Sequence, residues 1–145
     1  MACAVKICGL ISSEAVDAAV KACADMVGFV FFPPSPRSLT VEAAAALVRR
    51  VPDNVNRVAL SVDADNELIA AIAKGVAPDM MQLHGQESPE RVAEVRRLSG
   101  LPVIKAVAIS EPADVDRAYS YLAVADWLMF DAKPPQNATR PGGNA

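Results

Sequence analysis

The chain is expected to fold as a parallel α/β protein, on three features of its 145 residues. Short apolar runs alternate with longer amphipathic stretches at a period of about 25 residues, the rhythm of a repeated β/α unit. The runs Phe29-Val30-Phe31-Phe32 and Trp127-Leu128-Met129-Phe130 are continuous rather than alternating, as strands covered on both faces are. Polar, chemistry-bearing residues recur where those runs end. Right-handed crossovers then leave two architectures, an open doubly wound sheet or a closed barrel, and periodicity does not choose between them.

Strands are expected at 3–8, 26–32, 56–62, 79–83, 102–108 and 125–131, with helices at 13–24, 41–51, 65–75, 89–99 and 112–122. Ser12, Ser13 and Glu14 open the first helix, and Thr40 can cap the one beginning Val41-Glu42. Ser88-Pro89-Glu90 combines a cap, a proline at the first helical position and an early acid. Gly75 and Gly100 stand where left-handed C-terminal caps are common. Pro52, Pro78 and Pro102 follow helices they cannot continue. One domain, 1–145, is expected, with 132–145 a Pro/Gly-rich loop or tail. A complete eight-unit barrel needs about 200 residues or more, so six units make an incomplete one.

Composition narrows the function classes. A core is expected from 52% hydrophobic and 21% charged residues. The net charge of -3 and a pI near 5.1 argue against a nucleic-acid footprint. No apolar run is long enough for a membrane span, and no leader peptide is evident. Cys3, Cys8 and Cys23 are a sparse, odd set without metal spacing, so a reduced, cytoplasmic protein is the expectation and no metal is assigned. The Asn137-Ala138-Thr139 sequon carries no weight without secretion.

Active sites of both architectures lie at the carboxyl ends of the strands. Cys8 ends the first run, Ser35-Pro36-Arg37 follows the second, and Asp63 and Asp65 follow the third. Gln82 and His84 end the fourth, Lys105 lies in the fifth and Asp131 ends the sixth. Lys6 shares strand parity with Cys8, and Gln82 with His84, so each pair points to one face. This set suits an anionic small molecule. It names no reaction. Each residue also has a structural role open to it. Cys8 can be a small core residue and Asp131 an Asx-turn former. His84 can be structural or ligand-facing. Lys6, Gln82 and Lys105 can pack the interior or set the charge of the site. Asp63 and Asp65 read as helix-start acids, and Trp127 with the strand-two Phe residues as core.

Four motifs in register resemble the phosphoribosylanthranilate isomerases. They are Lys6-Ile7-Cys8-Gly9-Leu10, Gly28-Phe29-Val30-Phe31 followed by Pro34-Ser35-Pro36-Arg37, Gln82-Leu83-His84-Gly85 with Glu87, and Leu128-Met129-Phe130-Asp131. The resemblance implies a TIM-type (β/α)8 barrel and a step of tryptophan biosynthesis, the Amadori rearrangement of an aminoaldose to an aminoketose, without cofactor. Cys8 matches the general base at C2′ of the opened sugar, and Asp131 the general acid that protonates the furanose oxygen. Arg37 matches the clamp on the anthranilate carboxylate, with Lys6, Gln82 and His84 as further substrate contacts. Lys6 and the helix amide end at Ser12 and Ser13 are expected to favour the Cys8 thiolate, and burial or a nearby negative charge to keep Asp131 protonated.

The family continues beyond Gly142-Gly143-Asn144 into two further strands and a phosphate site, so the resemblance implies a chain truncated at its C-terminus. The implied partner is a small phosphosugar, with no nucleic acid or membrane. An intact enzyme would be a monomer or homodimer. A truncated one would be a silent fragment that associates through open strand edges. A different phosphosugar enzyme of the same barrel superfamily is a weaker alternative.

Overall fold

In the computed structural model, residues 3–132 are described. The element order is β1 (Lys6–Cys8), α1 (Ser13–Lys21), β2 (Met26–Phe31), α2 (Val41–Val48), β3 (Asn56–Ser61), α3 (Asn66–Gly75), β4 (Met80–Leu83), α4 (Pro89–Ser99), β5 (Val103–Ile109), α5 (Pro112–Ala118), a 3-10 turn at Tyr119–Tyr121, and β6 (Trp127–Ala132). Every expected element is present, shortened mainly at its ends. The expected tail at 132–145 and the sequon lie outside the described residues, except Ala132, which closes β6.

All neighbouring strands pair in parallel, in the order β1-β2-β3-β4-β5-β6. That order settles what periodicity left open. A doubly wound sheet reverses its strand order partway and places helices on both faces. Strands laid down strictly in sequence by right-handed crossovers put every helix on one face, as a barrel does. The sheet is therefore an incomplete β/α barrel.

The two faces have separate cores. Val27, Phe29, Phe31, Ala59, Met81, Leu83, Val103 and Val107 meet the helices through Val16, Ala44, Ile69, Ile72, Val92 and Val95. The opposite, inner face holds a smaller cluster of Val58, Met80 and Ile104, with Met26 and Met129 against it. By strand parity Cys8, Gly28, Gln82 and Asp131 belong to that inner face.

Local chemistry starts the helices. Side chains of Ser12, Thr40, Asp65 and Ser88 accept from the N–H groups of Ala15, Ala43, Leu68 and Arg91. Each such cap contributes about 1 kcal/mol. Gly100 closes α4 in the left-handed region, φ +69°. Gly75 does not act as expected. It is the last helical residue of α3, and Ala77 takes the positive φ, +52°, in the turn that follows.

Strand edges carry the remaining surprises. Trp127, expected in the core, is 53% exposed and Phe130 60% exposed, because β6 has a described neighbour on one side alone. At the other edge Ile7 and Ile11 are likewise exposed. Among the described residues, no helix is long and apolar enough to cross a membrane.

Candidate active site

Cys8 ends β1 opposite Gly28 of β2. A Cβ at Gly28 would lie 2.6 Å from the Cys8 sulfur, so only glycine leaves the thiol its place. Just past Cys8 the chain turns at Gly9, φ +83°, where a Cβ would meet the Arg37 Nη1 at 2.7 Å. Arg37 rises from the β2–α2 loop, where its N–H donates to the Ser35 hydroxyl, and its Nη1 donates to the Cys8 carbonyl at 3.4 Å. The two glycines thus let a thiol and an exposed guanidinium share one strand end. Lys6, half-buried, sits two residues back on β1, about 7 Å below Cys8 along the strand.

Asp131 stands near the end of β6, its carboxylate Oδ2 3.1 Å from His84 Nε2. His84 Nδ1 lies 3.0 Å from the Gln82 carboxamide nitrogen. His84 therefore faces Asp131, with both ring nitrogens against protein groups. Gln82, expected as a substrate contact, is 1% exposed and pairs with His84. The burial expected around Asp131 is not met, because its side chain is 52% exposed at the edge strand. Beside it a cleft of about 60 Å³ is lined by His84, Gly85, Lys105, Arg117, Tyr121 and Asp131, among others.

Lys105 does not pack the inner face of the sheet. It shares parity with Val103 and Val107, so it faces the helix layer rather than the sheet's inner face. There its Nζ donates to Glu87 Oε2 at 2.7 Å and to the Gly85 carbonyl at 2.8 Å, and both side chains of the ion pair are 2% exposed. Glu87 also accepts from the N–H groups of Asp63 and Gly85. Tyr121 donates to the Glu87 carbonyl and places its ring 5.6 Å from Nζ. Burial pushes the Tyr121 phenol up, which keeps it a donor. The network anchors the loop that presents His84.

Asp65 caps α3 as expected, but Asp63 does not start a helix. It takes φ +46° and accepts from the Gln86 N–H, tying the β3–α3 loop to the His84 loop. Beyond the site, Ser110 holds the Asp114 carboxyl down to about 2 through its N–H and hydroxyl, fixing the start of α5. The Glu87–Lys105 pair escaped sequence reasoning, although one signal was available. A lysine inside the apolar run Val103-Ile104-Lys105-Ala106-Val107 needs a buried counter-charge.

The family model described as N-(5′phosphoribosyl)anthranilate (PRA) isomerase matches residues 5–144. A protein of that name from Rhodopseudomonas palustris CGA009 is 53% identical over 143 residues, 99% of this chain and 67% of the relative. The Rhodospirillum rubrum protein of the same name is also 53% identical, over 97% of this chain and 66% of its own length. Among solved structures, phosphoribosyl anthranilate isomerase from Thermotoga maritima superposes with a TM-score of 0.88 at 34% identity, covering 99% of this chain and 66% of that one. A second such isomerase, solved in complex with reduced 1-(o-carboxyphenylamino)-1-deoxyribulose 5-phosphate, gives 0.83 at 34% identity, covering 91% and 66%. The chain spans about two thirds of the length of the relatives it matches.

Proposed function

From its membership of the N-(5′-phosphoribosyl)anthranilate isomerase family, we propose that this chain carries the acid, the base and the carboxylate clamp of that sugar isomerisation. One observation supports the reading above others. Cys8 and Asp131 both stand at carboxyl ends of one parallel sheet and on its helix-free face, with Arg37 laid over the end of β1. Protein thiols and carboxyls are suited to proton transfer, and such sites lie at this end of β/α barrels.

In this reading Asp131 gives its proton to the ring oxygen of the phosphoribosyl group. The C1′–O bond breaks and the anthranilate nitrogen lone pair closes the C1′=N bond of a Schiff base. Cys8, as thiolate, removes the proton at C2′, and the C–H electrons form the C1′=C2′ bond of an enolamine as the C1′=N π pair returns to the anthranilate nitrogen. Tautomerisation then leaves a ketone at C2′. Arg37 holds the anthranilate carboxylate, which its fixed fork of donors matches. His84 orders the acid, and Lys6 adds positive charge below the thiol. The substrate is a small phosphosugar, and a cytoplasmic enzyme is consistent with the family.

The test is substrate consumption, followed by anthranilate fluorescence, on the polypeptide as its gene encodes it. Cys8→Ser and Asp131→Asn should each lower kcat by about 10²-fold or more. Near-normal turnover in either variant sinks that residue's role.

A second reading has its own support in the exposed apolar side chains at the two sheet edges, Ile7 and Ile11 on one side and Trp127 and Phe130 on the other. Uncovered edges of this kind pair with other chains. The 145-residue polypeptide by itself would then self-associate and isomerise nothing. Sedimentation combined with the turnover assay on that polypeptide separates the two: an active monomer removes the second reading.

A further inference from the structure

His84 touches Asp131 through Nε2 and Gln82 through Nδ1, at 3.1 and 3.0 Å. A carboxamide nitrogen carries two hydrogens and no lone pair to offer, so it can only donate. Nδ1 must then accept, and a neutral imidazole keeps its single proton on Nε2, aimed at Asp131. Gln82 has no freedom to do otherwise, being 1% exposed in the sheet beneath the site.

Exchanging the nitrogen and oxygen of that carboxamide would be worse. Among the described residues, Gln82 Oε1 is buried without a hydrogen-bond partner. The exchange would set both N–H groups in that partnerless place, and a buried orphan N–H is less tolerated than an orphan carbonyl. The imidazole cannot drift to evade the contact either. The His84 N–H donates to the Ser61 carbonyl at 2.9 Å, and the next residue, Gly85, is held from both sides by Glu87 and Lys105.

We propose that Gln82 is a positioning residue for the isomerisation: by fixing the tautomer of His84 it directs Nε2–H onto Oδ2 of Asp131 and leaves Oδ1 as the oxygen that delivers the proton. The tautomer stands on geometry alone, while its catalytic meaning rests on the assignment of Asp131 as the acid. When Oδ1 releases its proton, the new carboxylate charge finds a donor already in place at Oδ2. Such a preset donor stabilises charge without reorganisation. Gln82 accomplishes this without touching substrate.

The experiment is a long-range proton–nitrogen correlation spectrum of the tag-free gene-encoded polypeptide, labelled with 15N at histidine and glutamine. His84 is the single histidine of these 145 residues, and its signals are verified by their loss in His84→Asn. At about pH 8.5, where an ordinary imidazole is neutral, Nδ1 should be the unprotonated nitrogen and Nε2 the protonated one. Gln82→Glu replaces the donor with an acceptor and should move a proton to Nδ1. It should also lower kcat about tenfold with KM within twofold, since the orientation of a reacting group is lost. A protonated Nδ1 in the parent protein overturns the proposal, as does an Nδ1 left bare in Gln82→Glu or a kcat indifferent to the switch. If circular dichroism finds Gln82→Glu unfolded, nitrogen–nitrogen coupling across the Gln82–His84 hydrogen bond decides. Its presence supports the proposal and its absence overturns it. The tautomer is read without turnover, so a failed acid assignment for Asp131 is distinguishable from a failed role for Gln82.

Discussion

Replacing Lys105 by methionine keeps all but the terminal atom of the side chain's length and removes its charge. The parent pair sits at 2.7 Å with 2% of each side chain exposed, so water cannot take the place of the ammonium. Removing one partner of a buried ion pair generally destabilises by about 3–5 kcal/mol. Two features adjust that figure here. The Gly85 carbonyl loses its 2.8 Å donor, which adds about 1 kcal/mol. Against it, Glu87 keeps the N–H groups of Asp63 and Gly85, which retain about 1 kcal/mol each for the bare carboxylate. Lys105→Met should therefore lose about 3 kcal/mol, a fall in Tm of about 6–12 °C for a domain of this size. The measurement is urea unfolding at pH 7, followed by circular dichroism, on the gene-encoded polypeptide. Glu87→Gln and the double variant complete a cycle. Because Lys105→Met/Glu87→Gln buries no charge, it should be more stable than the summed singles by about 1.5 kcal/mol or more. A single-variant loss below about 1 kcal/mol would refute the reasoning. So would additivity within about 0.5 kcal/mol.

Other perturbations test other joints. Gly28→Ala sets a Cβ 2.6 Å from the Cys8 sulfur and 3.2 Å from its Cα; it should cost about 1–3 kcal/mol of stability, read by urea unfolding. Because the thiol is displaced, kcat should also fall by at least about tenfold, and a neutral result would mean β1 yields without moving Cys8. Asp79 accepts from the Arg57 backbone N–H, Nε and Nη2, all at 2.7 Å, and Arg57 holds its carboxyl below the usual range. Asp79→Asn should accordingly lose about 1–2 kcal/mol in the same unfolding assay. Ser110 holds the Asp114 carboxyl down to about 2. A depressed carboxyl stabilises the fold above its unfolded value near 3.9, and the contribution is lost as pH falls from about 4 through 2. Acid unfolding of Asp114→Asn should lack that segment of pH dependence, which difference titration by circular dichroism detects.

Much of the architecture was legible before any coordinates, because it is written in short-range chemistry. Caps at Ser12, Thr40, Asp65 and Ser88 act over three residues, and a parallel strand announces itself by an unbroken apolar run. The positions of Cys8, Arg37 and Asp131 at strand ends follow from those same boundaries. Gly75 misled because a glycine near a helix end can serve packing instead: a Cβ there would strike Val41 of the neighbouring helix α2.

What the chain order alone could not disclose depends on groups distant in sequence. Strand order separated barrel from doubly wound sheet, and every pairing in it closes a loop through an intervening helix. Lys105 finds Glu87 eighteen residues away, and strand parity counted in one dimension does not say which face the helices will cover. Asp63 left its own helix to brace the His84 loop, and Gln82 came to lie against the His84 imidazole. Hydrophobic period and capping residues decide where each strand and helix begins, since those energies are local. Which charge meets which, and which nitrogen of His84 keeps the proton, is decided only when the sheet brings separate strand ends together, since buried electrostatics depend on through-space neighbours and not on neighbours along the chain.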